Sequence, residues 1–123
     1  MPKSSAVSAN IYGRYPGTTI ANWQAAEQDI LTIGTAGIIQ KAHSLLVDIN
    51  ALAGNITIRL YTNVNGVERR CYSETFSVAA DDPALWIING TLAIFGTVRV
   101  TAQSNNAADN GQAIGWENIR GSS

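Results

Sequence analysis

Residues 55–78 read NITIRLYTNVNGVERRCYSETFSV, and this stretch decides the fold class. Ile56, Ile58 and Leu60 alternate with polar or amphipathic residues, a pattern typical of an antiparallel strand with one face in the core and one in water. Asn65-Gly66 follows directly, and this dipeptide favours a two-residue hairpin because a type I′ turn needs positive φ at both central positions. The stretch therefore predicts two antiparallel strands, residues 55–64 and 67–78, joined by a tight turn.

Short apolar runs separated by turn residues extend this pattern on both sides of the hairpin. Upstream, Leu45, Val47 and Ile49 lie on one face of a long run. Further strands are predicted at residues 29–33, 38–49, 85–88, 91–95, 97–103 and 112–119, with Asn-Gly turn signals at 89–90 and 110–111. About eight strands with turn chemistry between them predict an all-β fold, an antiparallel β-sandwich or jelly roll. Residues 21–28 contain the only fair helix formers and predict a helix of about two turns.

The first 20 residues differ from the rest of the chain. They are rich in Ser, Ala, Gly, Pro and Tyr and show no hydrophobic period. We expect an extended N-terminal arm over residues 1–20 and a single β-sandwich domain over residues 21–123. The arm packs either on its own domain or on a neighbouring subunit. The candidate protein-contact residues are Ile11, Tyr12, Arg14, Tyr15, Ile20 and Trp23.

The composition limits the classes of function. The chain has 123 residues, 46% of them hydrophobic, which is enough for one domain with its own core. The net charge is −1, so a nucleic-acid partner has no electrostatic support. A single cysteine forms no internal disulfide. The N-terminus lacks the apolar segment of a signal peptide, and no apolar run has the length of a membrane helix, so we expect a soluble protein made in the cytosol.

No residue cluster in the sequence indicates catalysis or a cofactor. His43 is the one histidine and has no partners at metal-ligand spacing. Neither a nucleophile motif nor a phosphate-binding glycine loop is present. Asp81-Asp82 and Asp109 lie in predicted loops, where turn geometry is a better explanation than calcium binding. The sequence therefore predicts no enzyme activity, no cofactor and no metal site.

Carbohydrate binding is the alternative that the aromatic residues leave open. Sugar-binding sandwiches expose aromatic rings on which sugars stack. Tyr61 lies on the polar parity of its strand, so we expect it to be exposed. Trp86 and Trp116 are expected in the core.

Three segments resemble a recurring pattern in small bacteriophage and prophage-encoded virion proteins. They are residues 55–70 (NITIRLYTNVNGVERR), 86–92 (WIINGTL) and 98–114, the last with VRVTAQSNNAAD. The three segments are spread over roughly the last two thirds of the chain. It implies a β-sandwich protein of a phage particle, either a capsid decoration (cement) protein or a tail-associated domain.

The resemblance also implies partners and a location. It implies a homo-oligomer, with a trimer favoured, that contacts the major capsid protein or other virion proteins, and a place in the virion after assembly in the host cytoplasm. A tail- or fibre-associated carbohydrate-binding module is the alternative. Because such proteins act through surfaces, the resemblance transfers no functional residue.

Overall fold

The computed structural model describes residues 12–121, and these residues form a single antiparallel sheet of six strands in the order β1-β6-β2-β5-β3-β4. The strands are β1 (Tyr12–Asn22), β2 (Gln28–Asp48), β3 (Asn55–Val64), β4 (Val67–Ser77), β5 (Ala84–Ser104) and β6 (Asn110–Gly121). The only helical segment among the described residues is a 3₁₀ turn at Ala107–Asp109. The predicted all-β class is confirmed.

The β3–β4 hairpin forms where the sequence predicts it. Asn65 and Gly66 have φ of 53° and 82°, so both central residues take the left-handed conformation of a type I′ turn. Val64 and Val67 are directly paired next to the turn. Ile56, Ile58 and Leu60 of β3 are buried, which confirms the predicted alternation.

Two long strands replace several of the predicted short ones. β2 and β5 have 21 residues each. Residues 29–33 and 38–49 both lie in β2, and the three segments predicted between 85 and 103 all lie in β5. The predicted hairpin at Asn89-Gly90 is wrong: Leu45 pairs with Ile88 and Ala42 with Leu92, so β5 runs through the dipeptide along a continuous partner. The described residues therefore form six strands where about eight were predicted.

The pairing of β2 with β5 is irregular near its middle. The register shifts between Gly34 and Ile39. Gly34 has φ of 92°, and a Cβ at this position would lie 2.4 Å from the carbonyl oxygen of Gly96. Only glycine fits this close approach of two backbones. β6 pairs with β2 only at residues 41–48, and β3 pairs with β5 only at residues 98–104, so each long strand has different neighbours along its length.

The described part of the predicted arm belongs to the sheet. Residues 12–20 lie in β1, which pairs with β6 from Tyr12 opposite Gly121 onwards. Of the two expected packing modes, these residues therefore pack on their own domain. The predicted helix at residues 21–28 is wrong, because β1 ends at Asn22, a short turn follows, and β2 begins at Gln28. Trp23 lies at this turn, and its side chain is fully buried in the core.

The core lies on one side of the sheet. Leu45, Val47 and Ile49 are fully buried, as their shared parity predicts. The other fully buried large hydrophobic residues are Trp23, Ile33, Ile56, Ile58, Val100 and Ile114. Every strand except β1 and β4 supplies at least one fully buried residue, so the core is continuous across the middle of the sheet.

Candidate functional site

The side of the sheet opposite the core has an apolar part. It is formed by β1, β6, the C-terminal part of β2 and the N-terminal part of β5. Directly opposed residues of an antiparallel pair share a face. One row runs from Pro16 through Glu117 and Leu46 to Trp86. A second row runs through Tyr12, Gly121, Lys41 and Ala93.

Large hydrophobic side chains are exposed across this area. We refer to Tyr12, Ile20, Ile39, Trp86 and Phe95 as the apolar face, and their exposed fractions are 52%, 68%, 71%, 56% and 65%. Ile39 and Phe95 are directly paired, so two of the most exposed side chains lie side by side. Exposed apolar patches on soluble proteins mark binding sites, and the Ile39–Phe95 pair is such a patch, whereas Ile20 lies at the other end of the apolar face.

Few charges interrupt the apolar face. Arg14 pairs with Glu117 at 3.0 Å, and this mutual pairing raises the pKa of Arg14 and lowers that of Glu117. Lys41, in the second row, and Asp48, opposite Gly115, are also charged and lie on this part of the sheet. An open depression of about 400 Å³ lies between Leu46, Asp48, Ala84 and Gly115, where the glycine leaves the surface low.

The predicted contact residues separate into two groups. Tyr12 and Ile20 belong to the apolar face, and Arg14 lies between them on the same parity of β1. Tyr15 has the opposite parity, and the Arg120 guanidinium lies 4.1 Å from the centre of its ring. Ile11 lies outside the described residues.

Trp23 presents no surface to a partner. It is fully buried, and its indole N–H donates to the Gln112 carbonyl at 2.8 Å. Trp23 therefore fixes the end of β1 against β6 within the same chain. Its role is structural in this fold, because a contact with another subunit would need an accessible ring.

Sequence reasoning missed three residues of the apolar face: Ile39, Trp86 and Phe95. Trp86 was expected in the core and is instead 56% exposed, so that prediction was wrong. The run Leu85-Trp86-Ile87-Ile88 is apolar at every position, so it has no alternation from which a face could be assigned. The deciding information is the pairing of Trp86 with Leu46.

A polar network covers the other part of the same side, over β3, β4 and the C-terminal part of β5. Glu27 is its centre. The Tyr61 hydroxyl donates to the Glu27 carboxylate at 2.6 Å, the Thr101 hydroxyl donates to the same oxygen, and Arg59 pairs with the other oxygen at 3.2 Å. Thr101 is fully buried, so this network is anchored in the sheet. We refer to Glu27, Arg59, Tyr61, Arg99 and Thr101 as the charged face.

Arg99 extends this network across β5. It forms ion pairs with Asp29 at 2.7 Å and Glu68 at 2.8 Å, and its guanidinium lies 4.5 Å from the centre of the Tyr61 ring. The hydrogen bonds from Arg99 to Glu68 and Asp29 raise its pKa. One face of the Tyr61 ring is thus covered by this chain's own arginine. The sugar-stacking platform expected at Tyr61 is not free.

The charges on this face shift each other's protonation. Burial alone would raise the pKa of Glu27, but hydrogen bonds from Thr101 and Tyr61 and the charges of Arg59 and Arg99 outweigh it and lower that pKa. Burial and the neighbouring Glu27 raise the pKa of Tyr61. Both pKa shifts keep Glu27 ionised and the Tyr61 hydroxyl protonated at neutral pH, so the hydroxyl donates a hydrogen bond to the carboxylate. The network is therefore a structural one, with each group held in the protonation state that its partners need.

His43 and Asp109 have structural partners in this fold. His43 lies 2.9 Å from the Thr91 hydroxyl, through Nδ1, and its ring is 5.2 Å from that of Tyr12. The buried Asp109 carboxylate accepts hydrogen bonds from the backbone N–H groups of Ala53 and Gly54 and from the Ser104 hydroxyl. Asp109 thereby ties the loop before β3 to the end of β5.

Within residues 12–121, no three His, Cys, Asp or Glu side chains come together in a group that could hold a metal ion. The same part of the chain has no helix of the length and hydropathy that crossing a bilayer requires. Comparison with known protein families, with curated proteins and with solved structures finds no match to this chain. A function is therefore argued from the two faces themselves.

Proposed function

We propose that this chain is a structural protein of a bacteriophage particle, a capsid decoration protein that stabilises the head by contact and not by catalysis. The observation that carries the proposal is the apolar face. Its five large side chains are more than half exposed, on strands that each pair with a neighbour in the sheet. Apolar surface in contact with water is unfavourable. Burying it against a partner stabilises the complex by about 25 cal/mol for each Å² of apolar surface covered.

The shape of this surface suits an extended partner. The apolar face extends across four neighbouring strands, and the depression beside Gly115 is open to solvent. Enclosed clefts take small molecules, whereas broad sheet faces take other macromolecular surfaces. The outer surface of a capsid, built from the major capsid protein, is a partner of that kind.

The virion assignment rests on the sequence. The segments at residues 55–70, 86–92 and 98–114 resemble phage virion proteins, and the structure gives them roles in strands and turns. The low charged fraction, 14%, is compatible with a protein whose surface is partly covered by neighbours. The proposal includes a place in the virion, after assembly in the host cytoplasm, and association with further copies of the same chain.

For the architecture, we propose that the sheet folds back on itself as a sandwich with a single core. β1 and β2 are not neighbours in the sheet, yet the Thr19 hydroxyl donates to the Ile30 carbonyl at 2.6 Å. Arg120 of β6 similarly reaches the Thr32 carbonyl at 3.4 Å. The fully buried core residues need cover on the side away from their own strand, and the described residues contain no α-helix to supply it. One layer would be β1-β6-β2-β5 and the other β2-β5-β3-β4, with β2 and β5 shared.

A carbohydrate-binding module of a tail or fibre is the second candidate function. The observation in its favour is Trp86, an indole 56% exposed on a flat sheet face. The covered ring of Tyr61 counts against the platform expected there. A glycan array separates the candidates: glycan binding that is lost in Trp86→Ala supports the module, and an array without hits removes it.

Attachment to capsids tests the main proposal. Purified protein is added to heads assembled without it, and bound copies are counted by quantitative mass spectrometry. We expect hundreds of copies on each head and a higher temperature of head disruption. Ile20→Asp and Ile39→Asp place a charge in the apolar face, and we expect each to weaken attachment about ten-fold or more.

The matched control is Ser73→Asp, which adds the same charge at an exposed position of β4 opposite Arg59. It should attach like the parent protein. Attachment of the Ile20 and Ile39 variants with unchanged affinity would contradict the use of the apolar face. A handful of copies on each particle would place the protein in the neck or tail instead of the head.

A further inference from the structure

Part of β5 has a neighbouring strand on one side only. Residues 84–95 pair with β2, whereas β3 pairs with β5 only from residue 98 onwards. Among residues 12–121, no other strand pairs with this part of β5. Residues 89–93 are all exposed. The backbone N–H and C=O groups along the second side of residues 84–95, the β5 edge, are therefore open to another strand.

The β5 edge contains two register shifts against β2, but it has no charged side chain and no proline, the side-chain features that protect such edges. Residues 84–95 read ALWIINGTLAIF and contain neither a charged residue nor a proline. The sheet's terminal strands are protected: β1 carries Arg14 and Pro16, and β4 carries Glu68, Arg69, Arg70 and Glu74. Charge and proline discourage pairing with foreign strands, and their absence along one edge points to an edge that is paired in the working state.

We propose that the β5 edge pairs antiparallel with the β5 edge of a second copy, about a two-fold axis through Gly90, with the extra residue of β5 at Ile87 forming a bulge in each strand. This inference goes beyond attachment to the capsid, because it assigns a strand edge, a partner and a symmetry, and it shares only Trp86 and Phe95 with the apolar face. The axis places Trp86 opposite Ala93 of the second copy and Phe95 opposite Ala84. All four side chains project on the side away from the core, since they pair with Leu46, Lys41, Ile39 and Asp48 of β2 in turn.

The side chains of the β5 edge are complementary to themselves. Each large exposed side chain, Trp86 or Phe95, meets a small one, Ala93 or Ala84, across the axis. Cross-strand pairs of this kind fill space without a clash between two large rings. A two-fold axis brings any charge on the edge close to its own copy, and this edge carries none. These two properties make a second copy the occupant.

The proposed dimer has two-fold symmetry and takes the place of the trimer that the resemblance to decoration proteins implies. A closed ring of three needs two different surfaces, one from each neighbour. The other outer strand of this part of the sheet is β1, and Pro16 removes a backbone donor from its middle. Pairing of β5 with β5 uses the unprotected surface on both partners.

Sedimentation measurements on the purified protein test the proposal. We expect a dimer that dissociates on dilution. Ala93→Lys places a charge opposite Trp86 at two related points of the interface, and the dissociation constant should rise about ten-fold or more. Thr18→Lys adds the same charge at an exposed position of β1 and should leave the dimer intact. A monomer at all concentrations, or a trimer, would overturn the proposal.

A disulfide test fixes the register and does not depend on whether Ala93→Lys folds well. Trp86→Cys and Ala93→Cys are combined in a chain with Cys71→Ser. Within one chain the two positions lie about 23 Å apart along β5, too far for a disulfide. Mild oxidation should therefore link two chains, and each single-cysteine variant should stay unlinked.

A double variant that stays monomeric after oxidation contradicts the register. The dimer and capsid attachment fail separately, because sedimentation uses the isolated protein and attachment is also tested with a change at Ile20, which lies on β1 away from the β5 edge. Loss of attachment with an intact dimer overturns only the proposed function. Attachment by a monomer overturns only the dimer.

Discussion

The apolar face and the charged face lie on the same side of one sheet and share strand β5, but their side chains differ in how they meet water. On the charged face, Arg59, Tyr61 and Thr101 all bond to the Glu27 carboxylate. On the apolar face, large side chains such as Trp86 stand in solvent without such partners nearby on the strand. The first face meets most of its hydrogen bonds within one chain, although Arg59 Nε is buried without a partner, whereas the second leaves large apolar side chains in water.

The difference between the two faces indicates which side chains stabilise the fold and which are available for association. Removing a member of a bonded polar network leaves its partners with unmet hydrogen bonds, which destabilises the fold. Removing an exposed apolar side chain leaves the folded chain nearly unaffected. Substitutions on the charged face should therefore change unfolding, and substitutions on the apolar face should change association.

The largest expected effect lies where the two parts of the sheet join. Gly34→Ala combines a left-handed φ with a Cβ 2.4 Å from the Gly96 carbonyl oxygen, so we expect a loss of about 3 kcal/mol in the free energy of unfolding. Gly37→Ala is the matched control, because Gly37 has φ of 79° and no atom within 4 Å of the added Cβ. It should lose about 1 kcal/mol, measured by urea denaturation. Equal losses would show that the two backbones do not meet at Gly34.

The charged face should give the next largest effect. Glu27→Gln removes the carboxylate that accepts from Tyr61 and Thr101 and pairs with Arg59, and we expect a loss of about 2 kcal/mol in urea denaturation. Glu68→Gln breaks an exposed ion pair with Arg99 on the same face and should be close to neutral. If both variants unfold like the parent protein, the network is not a source of stability and the contrast between the faces fails.

The pH dependence of this effect follows from the lowered pKa of Glu27. A carboxylate whose pKa is lower in the folded state stabilises the fold above its ordinary pKa of 4.5, and the contribution is lost as pH falls through the folded-state pKa. The difference in unfolding free energy between the parent protein and Glu27→Gln should be constant near neutral pH and shrink below pH 4.5. A difference that grows as the pH falls would mean that Glu27 is protonated in the native state.

The smallest effect on stability is expected on the apolar face. Ile20→Ser, at a side chain 68% exposed on β1, should change the free energy of unfolding by less than about 0.5 kcal/mol. Thermal unfolding of the isolated protein, at concentrations below those of association, measures this. A large destabilisation would show that Ile20 packs on its own chain, and the proposal that it serves a partner would fall.

The sequence predicted local structure well where one pattern acted alone. The alternation of Ile56, Ile58 and Leu60 and the Asn65-Gly66 turn are confirmed, because strand parity and left-handed φ are properties of a few adjacent residues. The same dipeptide at 89–90 does not turn. There the adjacent strand β2 supplies a continuous partner on both sides of it, and this pairing outweighs the turn preference.

The candidate site was only partly predictable. Tyr12 and Ile20 were named from an aromatic segment without a period, and the structure exposes both. Trp23, named with them, is in the core, and Trp86, expected in the core, is on the surface. A tryptophan in a strand is buried only if its side of the strand is covered by other elements. A continuous apolar run does not indicate which side is covered.

The sequence by itself determined the all-β class, the β3–β4 hairpin and the burial of Leu45, Val47 and Ile49, since each depends on spacing along the chain. The tertiary structure alone decided that β2 and β5 run unbroken for 21 residues, that β1 is part of the sheet, and that Trp86 and Phe95 share a surface with Tyr12. These are outcomes of pairing between residues distant in sequence. A strand's partner sets its length and the side on which each residue lies, and no local pattern contains that information.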